Sequence, residues 1–305
     1  MKEKIFMSGA GGMLGQAFYE VFKKNYELKC TDIDVNEKWL DFLDFRKKND
    51  YLKMVRLFNP SYLFHIGAHT DLEYCELNKK EAYLTNTESV KYAVEISNRF
   101  NIPLLYISTA GIFDGSKETF NEDDIPNPQG VYAKSKYMAE KYVKKNCRTY
   151  LICRAGWMMG GGPKKDKKFV NKVIRQIISG CKKIYVVGDK LGTPTYTFDF
   201  AKNTLKLIKL KKWGLYNMVC QNQTNRYEVA KEILKILNFE KKIKVKKVKS
   251  KFFSKTYFAP RPSSEILINK NLRKINMDMM RPWREALKEY LNKSFNHKKY
   301  LSKRI

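Results

Sequence analysis

The chain has no CxxC pair. Its six cysteines stand apart at positions 30, 75, 147, 153, 181 and 220. That pattern suggests neither a disulfide staple nor a zinc site, so reduced thiols in a cytoplasm are the expectation. Histidine is scarce as well. His65 and His69 lie close together, but no third ligand follows at a recognisable spacing, so no metal site is expected and one of the pair reads as strand core. Long apolar runs are also missing. Nothing approaches the roughly 20 residues of a membrane span, and the opening MKEKIFMSGAGG is too short for a secretory apolar segment. Acidic residues are few, 31 against 60 basic ones, which leaves a formal charge of +29. Such an excess favours anionic partners, whether nucleic acid, an anionic membrane or a nucleotide, and composition does not choose among them. Lysines are spread along the chain, with one concentration at Lys241 to Lys251 that reads as a solvated strand or loop. No recognisable nucleic-acid reading module accompanies the charge, so specific nucleic-acid binding is not expected.

What is present begins with strand, glycine turn and helix. Lys4 to Ser8 form a short apolar strand running into GAGGMLG, and Leu14, Phe18 and Phe22 then share one helix face. Gly9, Gly12 and Gly15 follow a GxxGxxG spacing that turns the chain tightly and admits a pyrophosphate at the helix N-terminus. A second strand, ELKCTDID, ends in Asp32 and Asp34, about 20 residues beyond the glycines, where a carboxylate receives ribose hydroxyls. Asp32 is the better placed. It favours NADH, while Lys29 and Lys38 keep NADPH open. Asp41 and Phe42, in the next short strand, are placed to meet the adenine. A lysine-rich helix from Phe45 to Phe58 leads to the strand YLFHIGAHT, in which Gly67 and Ala68 let the chain pass close beneath a cofactor. The helix from Asn86 to Phe100 turns Val90, Ala93, Val94 and Ser97 onto the sheet.

The chemistry centres on Leu104 to Glu140. YxxxK occurs at Tyr19/Lys23, Tyr132/Lys136, Tyr137/Lys141 and Tyr227/Lys231, so the spacing alone discriminates nothing. Tyr132/Lys136 opens a helix that follows a strand ending in Ser108 and Thr109; the other three read as exposed helix faces. A lysine one turn away is expected to draw the tyrosine's proton affinity down. Thr109, or alternatively Ser108, is expected to polarise a carbonyl so that Tyr132 protonates the alkoxide as hydride arrives.

Towards the carboxyl end, TYLICRAGWMMGG reads as one strand, followed by a helix from Lys168 to Ser179. Gly192, Pro194 and Thr195 read as a loop able to hold a sugar nucleotide. GLYNMVC rejoins the sheet, and Tyr227 to Leu237, KIKVKKV and Trp283 to Leu291 build a smaller lobe. Arg154 and Arg261 are candidate cations for a diphosphate. The tail from Ser294 reads as frayed and basic.

Taken in order, GAGGMLG, LDFLD, IGAHT with DLEYCE, ISTAGIFDG, VYAKSKYMAE, RAGWMMGGG, GTPTYTFDFA and RPSSEIL resemble an extended short-chain dehydrogenase/reductase. Within that group the pattern is most similar to the dTDP-4-dehydrorhamnose reductases, from Lys4 to about Tyr290. The resemblance implies an α/β fold, a doubly wound parallel (Rossmann) sheet with a smaller substrate lobe. It implies a cofactor site lined by Gly12, Met13, Leu14, Asp32, Asp41, Phe42, Gly67, Ala68 and His69. It also makes Thr109, Tyr132 and Lys136 catalytic and sets Trp157 beside the substrate. The family pattern has Asp-Tyr after the threonine, whereas Ala110 and Gly111 stand here, so a carboxylate and a phenol near the sugar are missing. The family's RPxNS-like turn reads Arg261, Pro262, Ser263, Ser264, Glu265. Residues 1–155 are expected to form the dinucleotide domain, with returns near 190–220, and 156–305 mainly the substrate lobe. The expected activity is NAD(P)H-dependent reduction of a 4-keto-6-deoxy nucleotide sugar. A nucleotide-sugar epimerase or dehydratase of the same fold, and a non-catalytic cofactor-binding regulatory subunit, stay open as alternatives. The expected partner is the nucleotide sugar, and a homodimer is compatible with the sequence.

Overall fold

Seven short strands, most of them followed by a helix, assemble into one parallel sheet. They are β1 (Lys4–Ser8), β2 (Glu27–Asp32), β3 (Leu40–Phe42), β4 (Tyr62–His65), β5 (Leu104–Thr109), β6 (Tyr150–Ala155) and β7 (Gly214–Asn217) in a computed structural model that describes residues 2–295. The expectation for the tail beyond Phe295 lies outside the described residues. Every neighbouring pair is parallel. Ile5, Met7, Phe64, Leu105, Ile107, Leu151 and Cys153 enter one buried layer; Phe6, Leu63, Leu104, Tyr106 and Ile152 enter the other. Successive side chains point to opposite faces, and strands apolar on both faces are stable only between two helical layers.

The order across the sheet is β7-β6-β5-β4-β1-β2-β3. The winding therefore reverses between β1 and β4, which leaves a crevice at their carboxyl ends, where this type of sheet binds ligands. The helices Met13–Phe22 and Thr197–Lys209 cover one face, with the Phe18 and Phe200 rings 6.2 Å apart. Ser89–Phe100 and Val131–Asn146 cover the other, through Val90, Ala93, Val94, Ala139 and Val143.

A second layer of short pairings forms above the crevice. Thr119–Phe120, from the acidic loop, pairs with Ser264–Leu267, which pairs in turn with Leu191–Gly192 and through it with Thr224–Asn225. Lys244–Val248, inside the lysine run, pairs with Lys183–Val187 as a half-exposed strand.

Several local expectations change. The lysine-rich helix starts at Lys48, and β4 ends at His65, where the chain breaks out to wrap the crevice. Residues 72–83 form two short helices that the sequence did not suggest, because their apolar face is brief. The next helix opens with a π-turn, Leu84–Glu88. TYLICRAGWMMGG is two strands. They break at Gly156, where a Cβ would stand 2.0 Å from the Thr193 carbonyl oxygen, so only glycine admits that crossing. The expected loop at Gly192, Pro194 and Thr195 is two short strands, the second paired with Trp157–Met159.

Candidate active site

The crevice is built around glycines with different duties. Gly9 has φ +77°, and a Cβ there would lie 2.1 Å from the Gly67 Cα. Gly67 faces Gly9 and the Phe45 ring, so it serves chain-to-chain packing rather than clearance beneath a ligand. Gly15 is equally crowded, a Cβ there meeting the Ala10 carbonyl oxygen at 2.0 Å. Gly12 is the opposite case, with nothing within 4 Å of its Cβ position. It caps Met13–Phe22, a helix with no side-chain cap and no acidic residue in its first turn. Its free N–H groups and positive dipole end suit an anion, so Gly12, Met13 and Leu14 fit the diphosphate of a dinucleotide.

Asp32 ends β2 and accepts hydrogen bonds from the Gly11 N–H at 2.8 Å and the Asp34 N–H at 3.0 Å, which ties the strand to the glycine turn. Register separates the two adenine candidates. Phe42 lies opposite Asp32, so these two share a face, and its ring is exposed. Asp41 lies opposite Thr31 on the other face, where it pairs with Lys29 at 2.8 Å. Phe42 is therefore the residue that shares the face of Asp32, and Asp41 holds the sheet edge. Ala68 and His69 follow β4 in a stretch clamped by Asn86, which accepts from the His69 N–H at 2.8 Å and donates to its carbonyl at 3.0 Å. The same amide donates to Ser135 at 3.1 Å, linking the crevice to the helix that carries Tyr132. His65 is core. Its ring bonds Ser8 and Ser89, both at 3.1 Å, and burial drives its pKa down to about 3, so it stays neutral.

Thr109, Tyr132 and Lys136 come together from β5 and the helix Val131–Asn146. The Thr109 hydroxyl is in hydrogen-bonding reach of the Tyr132 phenol. Burial pushes Tyr132 up to about 12, the Thr109 bond opposing and the charges of Cys75 and Glu265 adding to the rise. The expected lowering by Lys136 does not occur. Lys136 is buried with its Nζ 4.3 Å from the Tyr106 ring centroid, and burial drives it down to about 7 against the pull of Glu140. A half-charged lysine opposes phenolate desolvation weakly. The other YxxxK pairs differ in kind. Lys23, Lys141 and Lys231 each lie over their own tyrosine ring, at 5.0, 5.0 and 5.5 Å. Those tyrosines are half-buried rather than exposed, because the stacked lysine stem covers them.

Behind the trio lies a buried ion pair. Arg154 donates to Glu140 through Nη2 at 2.6 Å and Nε at 3.1 Å, and Ser108 donates to the same carboxylate at 2.6 Å. Ser108 is thus bound to Glu140 rather than to a substrate, and Arg154 is not available to a diphosphate. Ala110 is buried among Ile112, Phe113, Phe120, Val219 and Leu267. Thr195 is fully buried, accepting from the Gly156 N–H at 2.9 Å, and Arg261 grips Glu73 through both Nη atoms at 2.8 and 2.9 Å. Ser108, Ala110, Thr195 and Arg261 are thus buried or bound to other protein groups.

Trp157 lines the opening. Its Nε1 donates to Glu265 Oε2 at 2.7 Å, and the Arg226 guanidinium stacks 4.0 Å from its ring centroid. Arg226 also covers Phe169 at 5.0 Å, and burial lowers its pKa to about 10, with Glu265 opposing the fall and Arg261 reinforcing it.

Against known protein families, residues 3–296 match the model described as the RmlD substrate binding domain. The chain belongs to that family. Among solved structures, a dTDP-4-dehydrorhamnose reductase from Clostridium acetobutylicum is 31% identical with a TM-score of 0.86, covering 95% of this chain and 98% of its own. A dTDP-4-dehydrorhamnose reductase from Bacillus anthracis, solved in complex with NADP, is 28% identical with a TM-score of 0.87, covering 96% and 100%. The spore coat polysaccharide biosynthesis protein SpsK of Bacillus subtilis is 28% identical over 94% of this chain and 96% of its own.

For this RmlD-family chain, sequence reasoning missed Asn86, Glu140, Arg226 and Glu265. An acid one turn beyond the lysine was a readable signal for Glu140. The others sit at helix starts or in a short strand, where only the fold reveals their neighbours.

Proposed function

We propose that the protein reduces the keto group of a 4-keto-6-deoxy nucleotide sugar with NADH or NADPH, as an oxidoreductase of the short-chain dehydrogenase/reductase type. The observation that carries this reading is the Thr109 hydroxyl, at the end of β5, within hydrogen-bonding reach of the Tyr132 phenol, with Lys136 buried one turn further along the same helix, in a sheet whose winding reverses between β1 and β4. A bound nicotinamide supplies the hydride. Thr109 donates a hydrogen bond to the carbonyl oxygen and polarises it. Tyr132 passes its phenolic proton to that oxygen as it becomes an alkoxide, and Lys136, balanced near neutrality, restores the proton.

Held at about 12 by burial, the Tyr132 phenol keeps its proton at neutral pH, which suits a group that must donate a proton to a developing alkoxide. Arg226, stacked on Trp157 without an ion-pair partner among the described residues, is the cation best placed for the diphosphate. Gly9, Gly12, Met13, Leu14, Gly15, Asp32, Phe42, Gly67, Ala68 and His69 remain the proposed cofactor surroundings, and Asp41 supports them from the sheet edge.

The division into a dinucleotide domain over 1–155 with returns near 190–220, and a substrate lobe over most of 156–305, is kept with one change. The acidic loop strand Thr119–Phe120 goes with the substrate lobe it pairs with. A cytoplasmic location and a homodimer complete the reading. All six cysteines are free, and no helix among the described residues is long and apolar enough to cross a membrane.

The test is a panel of nucleotide keto-sugars with each cofactor, followed at the nicotinamide absorbance. Net cofactor consumption is expected, with kcat lowered about 10²- to 10⁴-fold in Tyr132→Phe. Turnover without net consumption, or an unaffected variant, overturns the reading.

A further inference from the structure

The Asp-Tyr of the family pattern is absent after the threonine, and at the second of those positions, Gly111, the fold brings in a carboxylate from a distant strand. A Cβ built on Gly111 would lie 3.2 Å from Glu265 Oε1, 3.6 Å from Thr109 Oγ1 and 4.0 Å from Tyr132 Cε1. One small volume is thus bounded by the Glu265 carboxylate, the threonine hydroxyl and the tyrosine ring. Any side chain at position 111 would press on the carboxylate, so the glycine and the glutamate are a matched pair.

Glu265 stands on Ser264–Leu267, a strand held on both sides by Leu191–Gly192 and Thr119–Phe120. Its Oε2 is fixed by Trp157 Nε1 at 2.7 Å. Oε1 has no hydrogen-bond partner among the described residues, and the nearest cationic influence on Glu265 is the Arg226 guanidinium stacked on Trp157, which feels its charge without a direct ion pair. A carboxylate with one oxygen anchored and the other aimed at the reaction centre is arranged to accept a hydrogen bond. Its charge is also felt by the chemistry, being one of the influences that raise Tyr132.

We propose that Glu265 is the specificity-determining carboxylate of this site. Its Oε1 accepts a hydrogen bond from a hydroxyl or protonated amine of the keto-sugar ring, and its charge excludes sugars that carry a carboxylate. This inference rests on the nucleotide-sugar reductase reading. Gly111 provides the space and Trp157 sets the orientation, so the site receives a carboxylate from position 265.

The experiment compares wild type, Glu265→Gln and Glu265→Ala with dTDP-4-dehydrorhamnose and with a nucleotide 4-keto-hexuronic acid, under saturating NADPH. Glu265→Gln keeps shape and an acceptor for Trp157, so its melting temperature should match wild type even if the alanine variant unfolds. For the neutral sugar, loss of the charged acceptor should raise KM about 10- to 100-fold, with kcat changed only a few-fold and the KM for NADPH unchanged. For the acidic sugar, Glu265→Gln should gain kcat/KM over wild type. Unchanged sugar KM in Glu265→Gln beside an active wild type overturns the assignment and leaves the reductase reading intact. A wild type that turns over no keto-sugar overturns both. Equal rises in the KM values for sugar and NADPH would mark a general structural role and also overturn it.

Discussion

Lys136 offers the sharpest test of the site's electrostatics. Its ammonium is buried against Tyr106, with a pKa lowered from 10.5 to about 7. Because the folded value is the lower one, the unfolded chain binds the extra proton between about 7 and 10.5, and this group's contribution to stability rises with pH across that window. At pH of about 6.5 the fold should carry a penalty of roughly 5 kcal/mol from Lys136, and at pH of about 9 a penalty of roughly 2 kcal/mol. Lys136→Met removes the charge while keeping the length of the stem. Its packing change adds a constant offset, so the informative quantity is the slope. The stability of the variant relative to wild type should fall by roughly 3 kcal/mol between those two pH values. Urea unfolding of both proteins at each pH measures this, with activity lost in the variant throughout. A difference that does not vary with pH would show that Lys136 stays fully charged in the fold, and the account of its role as a proton reservoir would fail.

The glycines should separate fold from ligand. Gly9→Ala forces a Cβ against Gly67 in a left-handed conformation and should lower the melting temperature sharply or leave no soluble protein. Gly12→Ala meets no neighbour, so it should melt as wild type while weakening nicotinamide cofactor binding at least about tenfold by titration. Arg154→Met leaves Glu140 buried with only Ser108 as partner and should cost about 3–5 kcal/mol by urea denaturation. A loss below about 1 kcal/mol would mean that the pair is not buried as described.

The first half of the fold was legible because its signals are local. An apolar strand, a glycine turn and a periodic helix specify one another within about 20 residues, and β1, β2 and the helix Met13–Phe22 appear where they were expected. The lysine and tyrosine of the Val131–Asn146 helix were legible for the same reason. The carboxyl half was harder to read. Its strands at 191–192, 194–196, 224–225 and 264–267 run two to four residues, too short for any periodicity, and they exist because the lobe supplies partners from afar.

What the sequence by itself carried was the strand, turn and helix order of the amino-terminal part, the glycine turn, and the expectation that Thr109, Tyr132 and Lys136 act together. Those depend on spacing along the chain. Tertiary structure alone decided which charges are free. Arg154 and Arg261 looked available but are held by Glu140 and Glu73, whereas Arg226, which drew no notice, and Glu265, read only as the end of a turn, meet at Trp157. It also reversed the expected electrostatics of the tyrosine, because desolvation depends on everything packed around a group and the unfolded chain is fully solvated. The gap at Ala110 and Gly111 is plain in the sequence. That Glu265 fills it is a fact of three dimensions, since 154 residues separate Gly111 from the carboxylate that its missing side chain admits.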